Sequence, residues 1–218
     1  MKKFLWFCGF LCLALPATAN NNLCQNAEVL KDAVKITYNY GELLFDVSKT
    51  SQEISVLCQD NAAGCFKHHE KGGRWTVVDT NVKVGNDVCV VPYINVTYDF
   101  SGSQIFITNE YDPCRTRAVL RHELQHFMIW KTTKEWFLKD LKYSLQNVVK
   151  NHAVLCPKNN LCSTRASWQV RKTINQVERR WHKLEEQNQN LLDSTDHSAT
   201  AQVNYPVCAP YSLRVGLF

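Results

Sequence analysis

The chain is 218 residues long, with 45% hydrophobic and 21% charged side chains and a net charge of +5 at pH 7. That charge is too mild for a nucleic-acid footprint, and no polybasic stripe accompanies it, so the composition implies no nucleic-acid partner. After the N-terminal stretch, no segment is long and apolar enough to cross a bilayer.

The first residues, MKKFLWFCGFLCLALPATA, combine two lysines, an apolar run from Phe4 to Leu15, the helix breaker Pro16 and the small-x-small pattern Ala17-Thr18-Ala19. This is the pattern of a secretory signal peptide over residues 1–19. Its apolar run, about a dozen residues, is shorter than the roughly 18–20 a spanning helix needs, so no membrane anchor is expected after cleavage. Cleavage there leaves 199 of the 218 residues and removes two of 25 basic side chains, lowering the net charge to +3. The expected product is a single secreted or periplasmic domain over residues 20–218.

Eight cysteines remain in that domain: Cys24, Cys58, Cys65, Cys89, Cys114, Cys156, Cys162 and Cys208. An even count in an exported chain reads as disulfides rather than thiolate metal sites or a cysteine nucleophile. Short separations single out Cys58 with Cys65 and Cys156 with Cys162; neither has the C-x-x-C spacing of a redox or zinc motif.

From about 30 to 109 the chain is rich in Val, Ile, Thr and aromatics. VKITYNYGELLFDV, EISVLC, RWTVVD, VCVVPYINVTYDF and QIFITN are separated by turn residues such as Gly72-Gly73, Gly85-Asn86-Asp87 and Ser101-Gly102-Ser103. These segments predict a mostly antiparallel sheet. From 112 to 192 the period becomes helical. Asp112-Pro113 reads as an N-cap and first position, opening a helix to about Trp130. Thr132-Thr133-Lys134-Glu135 reads as a capping box opening a second helix to about His152. A third helix, from near Ser163 or Thr164 to Leu192, carries Val170, Ile174, Val177, Trp181 and Leu184 on one face. Residues 193–218 follow as a loop segment. Strands first and three helices after predict an α+β domain. The Asn/Gln-rich run from Gln187 to Asn190 reads as a solvated helix end. The tryptophans Trp75, Trp130, Trp136, Trp168 and Trp181 read as core.

Within the first helix stands RHELQH, residues 121–126. Two histidines four apart on a helix project from one face with Cβ atoms about 6 Å apart, a span one zinc ion bridges. Glu123 sits roughly 100° round the helix from His122, beside the metal, where it can take a proton from water whose pKa a zinc ion lowers toward about 7. An ordinary helix face that carries two histidines by chance is the competing reading. The helical context after a sheet, in an exported chain, favours a metal site with His122 and His126 as ligands and Glu123 as general base.

A catalytic zinc takes three protein ligands and leaves one position open. Phe127 to Thr132 offer no third histidine, so the third ligand lies further on. Glu135 is close but suits the capping box. Glu178, on the third helix, would stand level with His126 if the three helices packed up, down, up. His197, in LLDSTDHSAT, follows that helix, with Asp193 and Asp196 as possible acceptors for an imidazole N–H.

RHELQH, then a helical stretch with cysteines, then LDSTDHSAT resembles the bacterial family of predicted secreted zinc-dependent proteases. Its members pair a His-Glu-x-x-His helix with a late Asp-x-x-Thr-x-His segment. Here Asp193, Thr195 and His197 are one residue tighter, and Ser198 stands where that family commonly has glycine. The likeness spans about 85 residues and leaves the sheet half aside. It implies a zincin-like fold, a Zn2+ cofactor held by His122, His126 and His197, and a peptide or protein substrate.

The expected activity is hydrolysis of peptide bonds with a metal-activated water. The alternatives are a non-catalytic exported binding or assembly module with a structural or vestigial metal site, and zinc-dependent hydrolysis of another amide, such as cell-wall material. QIFITNE is a strand to which an extended substrate could pair, and Tyr111 and Tyr205 are candidate oxyanion stabilisers. His68-His69, His152 and His182 read as solvated or helix-end residues. The Asn95-Val96-Thr97 glycosylation pattern carries little weight beside a signal of bacterial type. Oligomeric state is not legible from the sequence.

Overall fold

The computed structural model describes residues 21–58, 62–69, 71–157 and 160–195. The expected signal peptide, His197 and Tyr205 lie outside them. In chain order the elements are α1 (Asn21–Cys24), α2 (Ala27–Leu30), β1 (Val34–Asn39), β2 (Leu44–Lys49), α3 (Ser51–Cys58), β3 (Gly64–Lys67), β4 (Lys71–Val84) and β5 (Asp87–Asp99). β6 (Gln104–Thr108), α4 (Pro113–His152), β7 (Val154–Cys156) and α5 (Ser167–Thr195) complete the order. The fold is α+β, with sheets in the N-terminal half and helices in the C-terminal half.

Two mixed sheets replace the single, mostly antiparallel one expected. The first has the order β1-β5-β4, with β7 also on β5; β1 runs parallel to β5, while β4 and β7 run antiparallel to it. The second has the order β2-β6-β3, with β2 parallel and β3 antiparallel to β6. VKITYNYGELLFDV is therefore two strands in two sheets, parted at Gly41, whose φ of +64° suits a residue without Cβ. EISVLC belongs to a helix, α3. Thr50 and Glu53 form a capping box there: the Thr50 N–H donates to Glu53 Oε2 at 2.8 Å and the Glu53 N–H to Thr50 Oγ1 at 3.3 Å.

Among the described residues the helical half has two long helices rather than three. Asp112 caps α4, accepting from the N–H groups of Cys114 and Arg115. From Cys114 to His152 neither glycine nor proline interrupts the run. The buried stripe through Val119, Trp130, Phe137, Leu141, Leu145 and Val148 keeps its phase across the expected break at Thr132–Glu135, where Thr133 and Lys134 are buried within one helix. α5 packs antiparallel to α4: Gln189 meets His126, Glu185 meets Lys134 and Trp181 meets Asp140.

The larger core lies between the inner face of the first sheet (Ile94, Val96, Tyr98) and the stripes of α4 and α5, with Trp130 fully buried at its centre. A smaller cluster of Ala63, Ile105, Ile107 and Val119 seats the N-terminal part of α4 on the second sheet. Disulfides join Cys24 to Cys89, Cys58 to Cys65 and Cys156 to Cys162, the last two as the short separations suggested. These disulfides suit an oxidising, extracellular environment. Among the described residues no helix is long and apolar enough to cross a membrane. Contrary to the core reading, Trp136 and Trp168 are exposed, each beneath a lysine: Lys139 over Trp136 and Lys172 over Trp168.

Candidate metal centre

β3 approaches α4 closely because Gly64 has no side chain. A Cβ there would lie 2.6 Å from Val119 Cγ1 and 2.8 Å from the Phe106 carbonyl oxygen. The same approach brings the Phe66 backbone N–H to the carboxylate of Glu123, one helical turn past Val119. Glu123 is buried at 3% exposure, and His122 beside it at 2%. Burial pushes the Glu123 carboxyl up to about 8; the Phe66 hydrogen bond opposes this, and the nearby charge of Asp193 adds to it. A buried carboxyl poised near neutrality suits a group that exchanges protons at working pH.

His122 and His126 do share one face of a helix, and their Nε2 atoms stand 2.9 Å apart. Asp193, near the C-terminal end of α5, completes the group, with Oδ1 2.8 Å from His126 Nε2 and 3.3 Å from His122 Nε2. The three side chains form a group able to hold a metal ion. Two donors on a tetrahedral zinc at about 2.0–2.1 Å stand roughly 3.3 Å apart, so these separations need only a slight expansion to admit the ion.

Gln189 prepares His126 for that role. Its Oε1 accepts from the His126 Nδ1–H, and its Nε2 donates to the His126 backbone carbonyl at 3.1 Å. With the proton held on Nδ1, the Nε2 lone pair of His126 points to the site. Gln189 thus belongs to the centre, although its Asn/Gln-rich run reads as a solvated helix end. One turn earlier on α5 comes buried Glu185, paired with Lys134 at 2.8 Å and facing His68 at 3.4 Å. Burial raises its carboxyl; His68 and Lys134 outweigh that and hold it below the ordinary carboxylate value. His68 is therefore a partner in the α4–α5 seam rather than a solvated loop residue.

Glu178 and Glu135 take no part. The expected up-down-up packing would have set Glu178 level with His126, but with α4 a single helix α5 runs the opposite way. Glu178 instead accepts from the Tyr98 hydroxyl at 2.7 Å, and Glu135 is exposed more than two turns past His126. His197 lies outside the described residues. The sequence names Asp193 only as a companion to that histidine, and its place at the centre follows from the i, i+4, i+8 spacing of Glu185, Gln189 and Asp193 once the helices are antiparallel. QIFIT cannot take a substrate strand, since β6 is central in its sheet; β3 is the edge beside Glu123. Tyr111 packs against the smaller core, with Arg115 over its ring.

Comparison with protein-family models, curated proteins and solved structures finds no match to this chain.

Proposed function

We propose that the chain is an exported zinc-dependent peptidase that cleaves peptide bonds with a metal-activated water. The observation that carries this reading is the convergence of His122, His126 and Asp193 beside the buried carboxyl of Glu123. His122 Nε2, His126 Nε2 and an Asp193 carboxylate oxygen would hold the ion, and the 57% exposure of the Asp193 side chain supports a position open to water and substrate. A zinc ion bound there supplies Lewis acidity, polarising a carbonyl and acidifying water. Glu123 accepts the proton from the attacking water and returns it to the leaving amine, a role suited to its raised pKa. The Phe66 N–H holds that carboxylate in place. The resemblance to the bacterial secreted zinc-dependent proteases implies the same two histidines and glutamate; it gives the third ligand position to His197, where this assignment has Asp193.

Two histidines and one carboxylate also suit ferrous iron. The glutamate next to the first histidine favours hydrolysis, and elemental analysis separates the two metals. The activity itself is tested with Glu123→Gln. Zinc content should stay unchanged while hydrolysis of a mixed peptide library, read by mass spectrometry, falls at least about a hundredfold, the usual loss for a removed general base. Hydrolysis equal to wild type would exclude Glu123 from the chemistry and leave a structural metal site as the better reading.

A further inference from the structure

A cavity lies along the same helix pair. It has a volume of about 320 Å³, and its walls include Tyr98, Phe100, Phe137 and Trp181, with Gly72 at one side. This is at the lower end of the roughly 300–1,000 Å³ of ligand pockets, room for one large side chain rather than an extended cofactor.

Most polar groups around this cavity are engaged within the protein, the exposed His182 at its rim aside. The Tyr98 hydroxyl donates to Glu178 Oε1 at 2.7 Å, and the Trp181 indole N–H to Asp140 Oδ2 at 2.7 Å. Lys134 pairs with Glu185 at 2.8 Å, and Arg179 Nε donates to the Asn175 carbonyl at 3.1 Å. The walls therefore offer ring faces and few polar groups that could reward a polar ligand. Tyr98 stacks on Phe100, and Phe137 meets Tyr98 edge-on. A further ring or a branched apolar side chain extends that cluster.

Gly72 leaves room for added bulk at the cavity wall. It lies where the β4–β5 register shifts, between Lys71 and Arg74, and a Cβ built there meets nothing within 4 Å. β4 pairs only with β5 among the described residues, so its outer edge is available to an extended chain.

Lys134 and Phe137 are eight and eleven residues along α4 from His126, roughly 12–16 Å at 1.5 Å per residue. An extended peptide covers that span in about four residues. We propose that this cavity is a distal subsite that takes a large apolar or aromatic side chain of the substrate, about four residues from the bond cleaved. The assignment of substrate rests on the peptidase reading; the recognition of an apolar side chain does not.

Zinc-loaded Glu123→Gln protein, which holds peptide without turning it over, is titrated by calorimetry with a blocked alanine–serine decapeptide and with the same peptide carrying one Phe. The Phe peptide should bind at least tenfold more tightly. Gly72→Leu, which adds bulk at the cavity wall, should abolish that difference, and so should Trp181→Ala, which removes one wall. Equal affinity for the two peptides, or discrimination that survives both variants, would overturn the subsite. In wild type, cleavage should fall about four residues from the Phe. Discrimination without cleavage of any peptide would overturn the peptidase reading and leave a peptide-binding cleft. Cleavage without discrimination would overturn the cleft alone.

Discussion

His126 illustrates how far a single residue could be read in advance. Its four-residue spacing from His122 already implied a shared face, and the Nε2 atoms do converge. What spacing could not supply was the partner that sets the ring, because Gln189 is 63 positions away and reaches His126 only through helix packing. Gln189→Ala should lower zinc affinity about 10–100-fold, the usual effect of losing such a partner, with little change in the circular dichroism of the fold. Competition with a fluorescent zinc chelator measures it, and unchanged affinity would mean that the imidazole is oriented by other contacts. The motif also marked Glu123 as the candidate base, but its burial was not legible: that depends on Gly64 admitting β3 against α4.

Two local patterns of the same type gave opposite outcomes among the elements. Thr50-x-x-Glu53 builds a real capping box on α3, although β-branched residues around it read as a strand. Thr132-x-x-Glu135 builds none, since the buried stripe of α4 runs through it unbroken and tertiary packing outweighs a local capping preference. Losing that break reversed the direction of α5, which removed Glu178 from the centre and brought in Asp193. The α4–α5 seam depends on Glu185, whose carboxyl is held below its ordinary value of 4.5 and faces Lys134 and His68. A depressed carboxylate stabilises the fold above its unfolded pKa, and that contribution fades as pH falls through the lower folded value. Glu185→Gln leaves Lys134 buried without its counter-charge and should cost about 3 kcal/mol at pH 7. Thermal melts should show that gap narrowing as pH falls below 4.5 and closing once the wild-type carboxyl is also protonated. A gap constant with pH would mean that packing, rather than charge, sets the cost.

For the molecule as a whole, the change of period near residue 110 correctly divided sheets from helices. Strand pairing was beyond reach because parallel contacts such as β1 with β5 join segments about 60 residues apart with no local signal. The same distance hid the Cys24–Cys89 bridge, while the two short bridges could be named. By chain entropy, closing a loop of that length contributes about 4 kcal/mol. Cys24→Ser with Cys89→Ser should therefore lower the calorimetric Tm by roughly 8–16 °C, taking 2–4 °C per kcal/mol for this size. A loss of under about 2 °C would show that α1 is already held by packing.

The measurement to make first is zinc per chain, by elemental analysis of purified protein folded with metal supplied, in wild type and in His122→Ala, Asp193→Ala, Glu178→Ala and His197→Ala. A centre built on His122, His126 and Asp193 gives close to one zinc in wild type, none with His122→Ala or Asp193→Ala, and an unchanged value with Glu178→Ala. Zinc retained in Asp193→Ala but lost in His197→Ala would contradict Asp193 as the third ligand, and no zinc in wild type would contradict the metal centre itself.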